Sequence, residues 1–241
     1  MAAWSIKKHE LQSFLEKEVA PRFGSKWIVR PHCELQRRSG YFIQGLSLFR
    51  LSFGPLFRVD LFNSMLIPEI DMITLFPLRE RKTRLSTGSW FSRFLMPKEV
   101  WIEWDKRFDE LDRIVTLIHS QLEPPYDQEI TLESVLRLIS REPHKDDNFP
   151  QIWARAVIRG LLGDMQFARQ TMEQLIDTFS AAAEKYKAMG DESYQSRISV
   201  EVQRKNSARE MLEAMNDDKS FRDYCDALTD KAVVKAGFLP K

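Results

Sequence analysis

The chain has 241 residues, 43% of them hydrophobic and 29% charged, with a formal net charge of +1. That is the composition of an ordinary globular protein, long enough for one large core or two small ones. With only two cysteines, Cys33 and Cys225, far apart in the chain, a disulfide framework is excluded and two reduced thiols in a cytoplasmic protein are expected.

The longest uncharged run, residues 39–49, falls far short of the roughly 20 apolar residues of a membrane-spanning helix. The first residues lead straight into Lys7 and Lys8, so no secretion signal and no membrane partner are expected. The small net charge hides an asymmetry. Residues 1–96 carry 15 Lys and Arg against 8 Asp and Glu, and residues 97–241 carry 21 against 27. Two solvated faces, mutual attraction of the halves and an acidic partner for the basic half all fit that split.

In chain order, residues 4–19 have the spacing of an amphipathic helix, with Leu11, Phe14, Leu15 and Val19 on one face. Pro21 and Gly24 close it. The period then changes to two. Residues 26–30, 32–37, 41–53, 56–66 and 70–78 are predicted strands, punctuated by Pro31, Gly40, Gly54-Pro55 and Pro68. Connections this short favour antiparallel pairing. Residues 79–97 follow as a basic and aromatic connecting loop without a clear period, of a length that is often functional.

From Pro97 the spacing predicts one helix of about 25 residues, because Trp101, Trp104, Phe108, Leu111, Val115, Ile118 and Leu122 fall on a single line of period 3.5. Pro124-Pro125 stops it. Thr131 opens a short helix carrying Leu132, Val135, Leu136 and Ile139. Pro150 opens another, ended by Gly163, and Asp164 caps a long helix running to about Met189. A strongly charged outer helix with a thin apolar stripe and a final helix around Phe221, Tyr224, Cys225 and Leu228 complete the chain. No second copy of the helical hairpin recurs at a repeat period, which argues against a solenoid. The predicted fold class is α+β: an N-terminal helix plus an antiparallel meander of four to five strands over 1–78, then a connecting loop over 79–97. An α-helical half built on a long central helix occupies 98–241.

The chemistry-bearing motifs are few. The Gly-rich dinucleotide and phosphate-loop signatures are missing, and Ser89 lacks the flanking glycines and strand of a nucleophile elbow. His9, His32, His119 and His144 are scattered without metal-ligand spacing, so no metal and no cofactor are expected. Glu103, Asp105, Asp109, Glu110 and Asp112 give the predicted central helix a solvated acidic exterior.

Asp71 followed by Glu80 and Lys82 resembles the acid, gap, Glu-x-Lys arrangement with which restriction-type nucleases hold Mg²⁺. That resemblance covers about a dozen residues, and Pro77 interrupts the strand it requires. Arg79, Arg81, Lys82, Arg84 and Arg93 interleave with Trp90, Phe91 and Phe94. Such a mixture serves either a protein contact, where Arg and Trp dominate, or single-stranded nucleic acid held by phosphate contact and stacking.

The leading expectation is a non-enzymatic, cytoplasmic protein-interaction protein, an adaptor or stoichiometric inhibitor. Its layout is loosely similar to the α+β immunity proteins that bacteria keep against their own toxins, a similarity of layout rather than of motif. Nucleic-acid binding through 79–94 and Mg²⁺-dependent cleavage through Asp71, Glu80 and Lys82 are the alternatives. The charged C-terminal helices are candidates for pairing between copies of the chain.

Overall fold

In a computed structural model of the chain, the described residues are 5–52, 54–67, 70, 74–80, 98–141, 149–190 and 192–236. The fold is α+β, an N-terminal helix, an antiparallel sheet and a helical C-terminal half. Two compact units divide the chain discontinuously. The first comprises 1–39, 43–63 and 74–129, and the second comprises 40–42, 64–73 and 130–241.

The first unit opens with α1 (Lys8–Phe14), which continues as a wider turn over Leu15–Val19 and a tighter one over Ala20–Arg22. The Glu10 carboxylate accepts from the Lys7 N–H at 2.9 Å, relieving one donor at the helix start. Leu11, Phe14, Leu15 and Val19, the face expected from their spacing, are all buried.

The sheet runs β1 (Ile28–Arg30), β2 (Glu34–Ser39), β3 (Phe42–Arg50), β4 (Leu56–Met65) and β5 (Thr74–Pro77) in that order. Gly40 and Gly54 supply the positive φ angles, 54° and 107°, that their turns need. Along β4 the pleat sends Phe57, Val59 and Leu61 to the same core as Leu46 and Leu48 of β3.

The outer edge of β4 is shared by two strands. β5 covers it from Asp60 to Asn63, and β8 (Trp101–Glu103) covers Leu56 to Arg58. Between them the Leu78 N–H donates to the Val59 carbonyl at 2.7 Å, and the Val100 N–H donates to the Leu78 carbonyl at 2.9 Å. From that junction β6 (Arg79–Glu80) and β7 (Lys98–Glu99) pair antiparallel, Arg79 opposite Glu99 and Glu80 opposite Lys98. The first residues of the expected connecting loop, 79–80, therefore pair as a strand with 98–99, the start of the region expected to be helical.

The helix expected from Pro97 to Leu122 begins much later. Residues Trp101–Glu103 are a strand, Trp104–Lys106 a single tight turn, and α2 is Leu111–Gln121. Val-Trp-Ile-Glu-Trp alternates as well as it fits a helical line, and the unfilled edge of β4 decides between the two. Its N–H and C=O groups gain partners only if 101–103 is extended. Beyond Leu111 the predicted line holds, and Leu111, Ile114, Val115, Ile118 and Leu122 close the core over α1 and the sheet.

The second unit holds α3 (Leu132–Arg141), α4 (Phe149–Leu161), α5 (Met165–Ala188), α6 (Gln195–Ala214) and α7 (Asp218–Ala236). The long central helix of this half is α5, of 24 residues. Gly163 at φ 93° turns the chain between α4 and α5, and the Asp164 carboxylate then caps α5 by accepting from the Phe167 N–H. Arginines close two C-termini: Arg222 donates to the Leu161 carbonyl of α4 at 3.0 Å, and Arg169 to the Met215 carbonyl at the end of α6 at 2.8 Å.

The core of this unit gathers Trp153, Val157, Met172, Leu175, Phe179, Met211 and Phe221 from the helices. To these it adds Phe42, Met65, Ile67 and Ile70 from the two short segments that precede them in sequence. Among the described residues no helix is long and apolar enough to cross a membrane.

Candidate functional site

Of the residues read from the sequence as a binding loop, Arg79 lies in β6, whereas Arg81, Lys82, Arg84, Trp90, Phe91, Arg93 and Phe94 lie outside the described residues. Of the nuclease-like set, Glu80 sits in β6 opposite Lys98, and Asp71 and Lys82 lie outside the described residues, as do Ser89 and His144. Among the described residues, no group of three or more His, Cys, Asp or Glu side chains is placed to hold a metal ion.

The titratable groups that depart from ordinary behaviour do so mainly through burial. Cys33 and Cys225 are free, buried thiols in different units. Burial pushes both upward, Cys225 to about 12, which makes them inert at neutral pH. His119 is stacked face to face on Tyr126 at 3.9 Å and edge-on to Phe23, and burial lowers its pKa. Arg37 is buried, and that burial lowers its pKa.

Arg37 donates through Nε to the Gln44 Oε1 at 2.9 Å, through Nη2 to the Pro125 carbonyl at 2.8 Å, and through Nη1 to the Tyr126 carbonyl. Gln44 itself donates to the Pro124 carbonyl at 2.8 Å. This network anchors segment 123–126 to the sheet, a structural role.

What the first unit does present is arginine held against aromatic rings at its surface. At the foot of the β6–β7 pair, Arg58 lies between Phe49 and Trp101, its Cζ 5.1 and 5.3 Å from their ring centres. The geometry follows from register, since Trp101 is the direct cross-strand partner of Arg58. Asp60 binds the same guanidinium through two atoms, at 2.9 and 3.2 Å, and Glu99 takes its Nη1 at 3.0 Å. Two carboxylates more than neutralise Arg58, and Phe49 alone of this row is left largely exposed, at 50%.

The second cluster is different in charge. Trp104 is buried against Phe14 and Phe57. Four residues on, Phe108 packs edge-on to Phe14 at 5.8 Å and yet leaves 52% of its surface in water. The Arg107 guanidinium stacks on both rings, 4.0 Å from Trp104 and 4.2 Å from Phe108, and its Nη1 donates to the Trp104 carbonyl at 2.6 Å. Among the described residues no carboxylate is ion-paired with Arg107. Phe108 and Arg107 form one wall of a groove of about 310 Å³ whose other wall is made by His9, Glu10 and Ser13 of α1 and by Lys17 and Glu18 of the wider turn that continues it.

The sequence placed Phe108 on a buried line and passed over Arg107. A signal was present: Phe108 is the only apolar residue in the run Asp105-Lys-Arg-Phe-Asp-Glu110, a setting that disfavours burial. Compared with known protein families, with curated proteins and with solved structures, the chain matches none.

Proposed function

We propose that the protein is a non-enzymatic interaction protein, an adaptor or stoichiometric inhibitor, and that it grips another protein through Phe108, Arg107 and the groove beside α1. The observation carrying this reading is the exposed Phe108 ring under a guanidinium with no carboxylate of the described residues paired to it. A half-exposed phenylalanine held rigid by Phe14 loses little side-chain entropy on docking, and aromatic residues and arginine are enriched at the centres of protein interfaces. The stacked Arg107 keeps its remaining donors for an acidic or carbonyl-bearing partner surface.

The test is site-specific photo-cross-linking in the native host, with the photoreactive residue at position 108 and, as a control, at exposed Lys231 on the second unit. One dominant adduct at position 108 is expected, and the partner purified through it should form a complex of fixed ratio with the native chain. Phe108→Ala should weaken that complex by about 2 kcal/mol, roughly thirtyfold, while folding stability moves by only about 0.5 kcal/mol. A diffuse set of adducts identical at both positions, or a partner that binds Phe108→Ala as tightly as the native chain, overturns the reading.

A further inference from the structure

A cluster of rings in the first unit encloses a histidine in surroundings that suit only its neutral form. His119, half-buried near the end of α2, stacks on Tyr126 with 3.9 Å between ring centres and 10° between planes, and meets Phe23 edge-on at 4.8 Å. Phe23 in turn packs edge-on to Trp27 and Tyr126. We propose that His119 is an acid-operated latch: a proton taken up by its ring frees Tyr126, and with it segment 123–128, from α2 and the sheet. The inference is independent of the protein-binding reading above, which uses the Phe108 groove.

The Nε2 atom of His119 is buried and has no hydrogen-bond partner among the described residues. A neutral imidazole meets that constraint by carrying its hydrogen on Nδ1 and leaving a bare lone pair at Nε2. An imidazolium carries N–H on both nitrogens. It therefore aims a charged donor at a place without an acceptor, which costs more than an unmet lone pair. The face of Tyr126 attracts a cation and offsets part of that cost.

The charges on the packed elements do not reverse the balance. On α2 no charged residue lies between Val115 and Leu122. Residues 20–27 bring Arg22, paired with Asp112 at 3.1 Å, and Lys26. Arg37 of β2 donates to the Tyr126 carbonyl, and the segment itself carries Glu123 and Asp127. Burial lowers the pKa of His119 against the opposing pull of Asp127.

Segment 123–128 contains no helix or strand, so its stacked ring and its hydrogen bonds are what attach it. The carbonyls of Pro124, Pro125 and Tyr126 accept from Gln44 and Arg37, and the Gln128 N–H donates to the Pro125 carbonyl at 3.0 Å. A freed histidine titrates near its ordinary value of about 6.5, and the latched one lower. The released form thus binds more protons in that interval. Attachment is complete above about pH 6.5 and weakens as the pH falls below it.

Hydrogen exchange at the Tyr126 and Gln128 amides of the native chain, corrected for its intrinsic pH dependence, tests the latch. Between about pH 7.5 and 5 the corrected rates should rise about fivefold while the β4 amides stay unchanged. The midpoint of that rise should coincide with the titration of the His119 ring followed by NMR. His119→Phe keeps a ring against Tyr126 but takes no proton, and His119→Gln removes ring and charge together. Both should give rates independent of pH. Asp127→Asn changes an exposed side chain, so it reads out the latch even where a substitution at 119 disturbs the fold. It should move the rise to lower pH, because Asp127 favours the imidazolium. Flat native rates, an equal rise in His119→Phe, a rise shared by β4, differing ring and amide midpoints, or an unmoved rise in Asp127→Asn each overturn the proposal.

Discussion

Arg37 illustrates how a charge can be buried without a paired carboxylate among the described residues. Its three donors reach the Gln44 amide and the carbonyls of Pro125 and Tyr126, and its guanidinium lies 5.5 Å from the centre of the Trp27 ring. Replacing it with leucine would remove the desolvated charge and at the same time leave the buried Gln44 Oε1 and two partly buried carbonyls unmatched. The second effect dominates, because an unsatisfied buried acceptor costs about 1–3 kcal/mol and leucine offers no hydrogen bond in return. Arg37→Leu should therefore lower stability by about 3 kcal/mol in a urea titration, and Arg37→Lys by nearly as much, since an ammonium lacks the fork. A leucine variant as stable as the native chain would mean that these bonds contribute nothing. None of this was legible in the sequence, where Arg37 is one polar residue in a short predicted strand. Its two carbonyl acceptors lie 88 and 89 positions further on, and no local pattern carries that information.

Elements whose cause is local were legible, and those whose cause is distant were not. The buried face of α1 follows from spacing alone, and the α4–α5 turn from Gly163 and Asp164. The β8 strand depends on the free edge of β4, more than 40 residues earlier, so a line of period 3.5 could be drawn through it just as well. The same limit hid the groove: Phe108 belongs to a helical line only if 101–122 is one helix.

Gly160 in α4 shows packing overruling propensity. Alanine there would gain roughly 1 kcal/mol of helix propensity. Its Cβ, however, would meet Phe221 Cε1 at 2.6 Å and the Ala168 Cβ at 3.1 Å, where α7 and α5 press on α4. Phe221 is fully buried and its ring has nowhere to retreat. Overpacking of this kind costs about 1–3 kcal/mol, so Gly160→Ala should come out destabilising by roughly 1 kcal/mol. Thermal melts of Gly160→Ala, Phe221→Leu and the double variant check the cause. The two changes should be less than additive, and simple additivity would place the cost elsewhere.

At the scale of the whole molecule, the consequence of discontinuous units is that the helical half is incomplete as a continuous piece of chain. The described residues of 130–241 supply five α-helices, but the core they enclose also takes Phe42, Met65, Ile67 and Ile70, all buried, from segments 40–42 and 64–73. Leu66 ties those segments together, its N–H donating to the Tyr41 carbonyl at 2.8 Å, and the Tyr41 hydroxyl donates to Asp226 of α7 at 2.5 Å. Burying a large apolar side chain contributes about 2 kcal/mol, so the four together contribute about 8 kcal/mol. That is comparable with the whole stability of a domain, about 5–15 kcal/mol. A fragment of 130–241 should therefore keep helical far-ultraviolet circular dichroism while losing the near-ultraviolet signal of ordered Trp153 and the cooperative thermal transition. In the full chain, Ile67→Ala alone should cost about 2–4 kcal/mol for the same reason. If the isolated fragment melted as sharply and as high as the full chain, the two short segments would be ornaments on a self-sufficient helical domain, and the folding unit would follow the chain's own order after all.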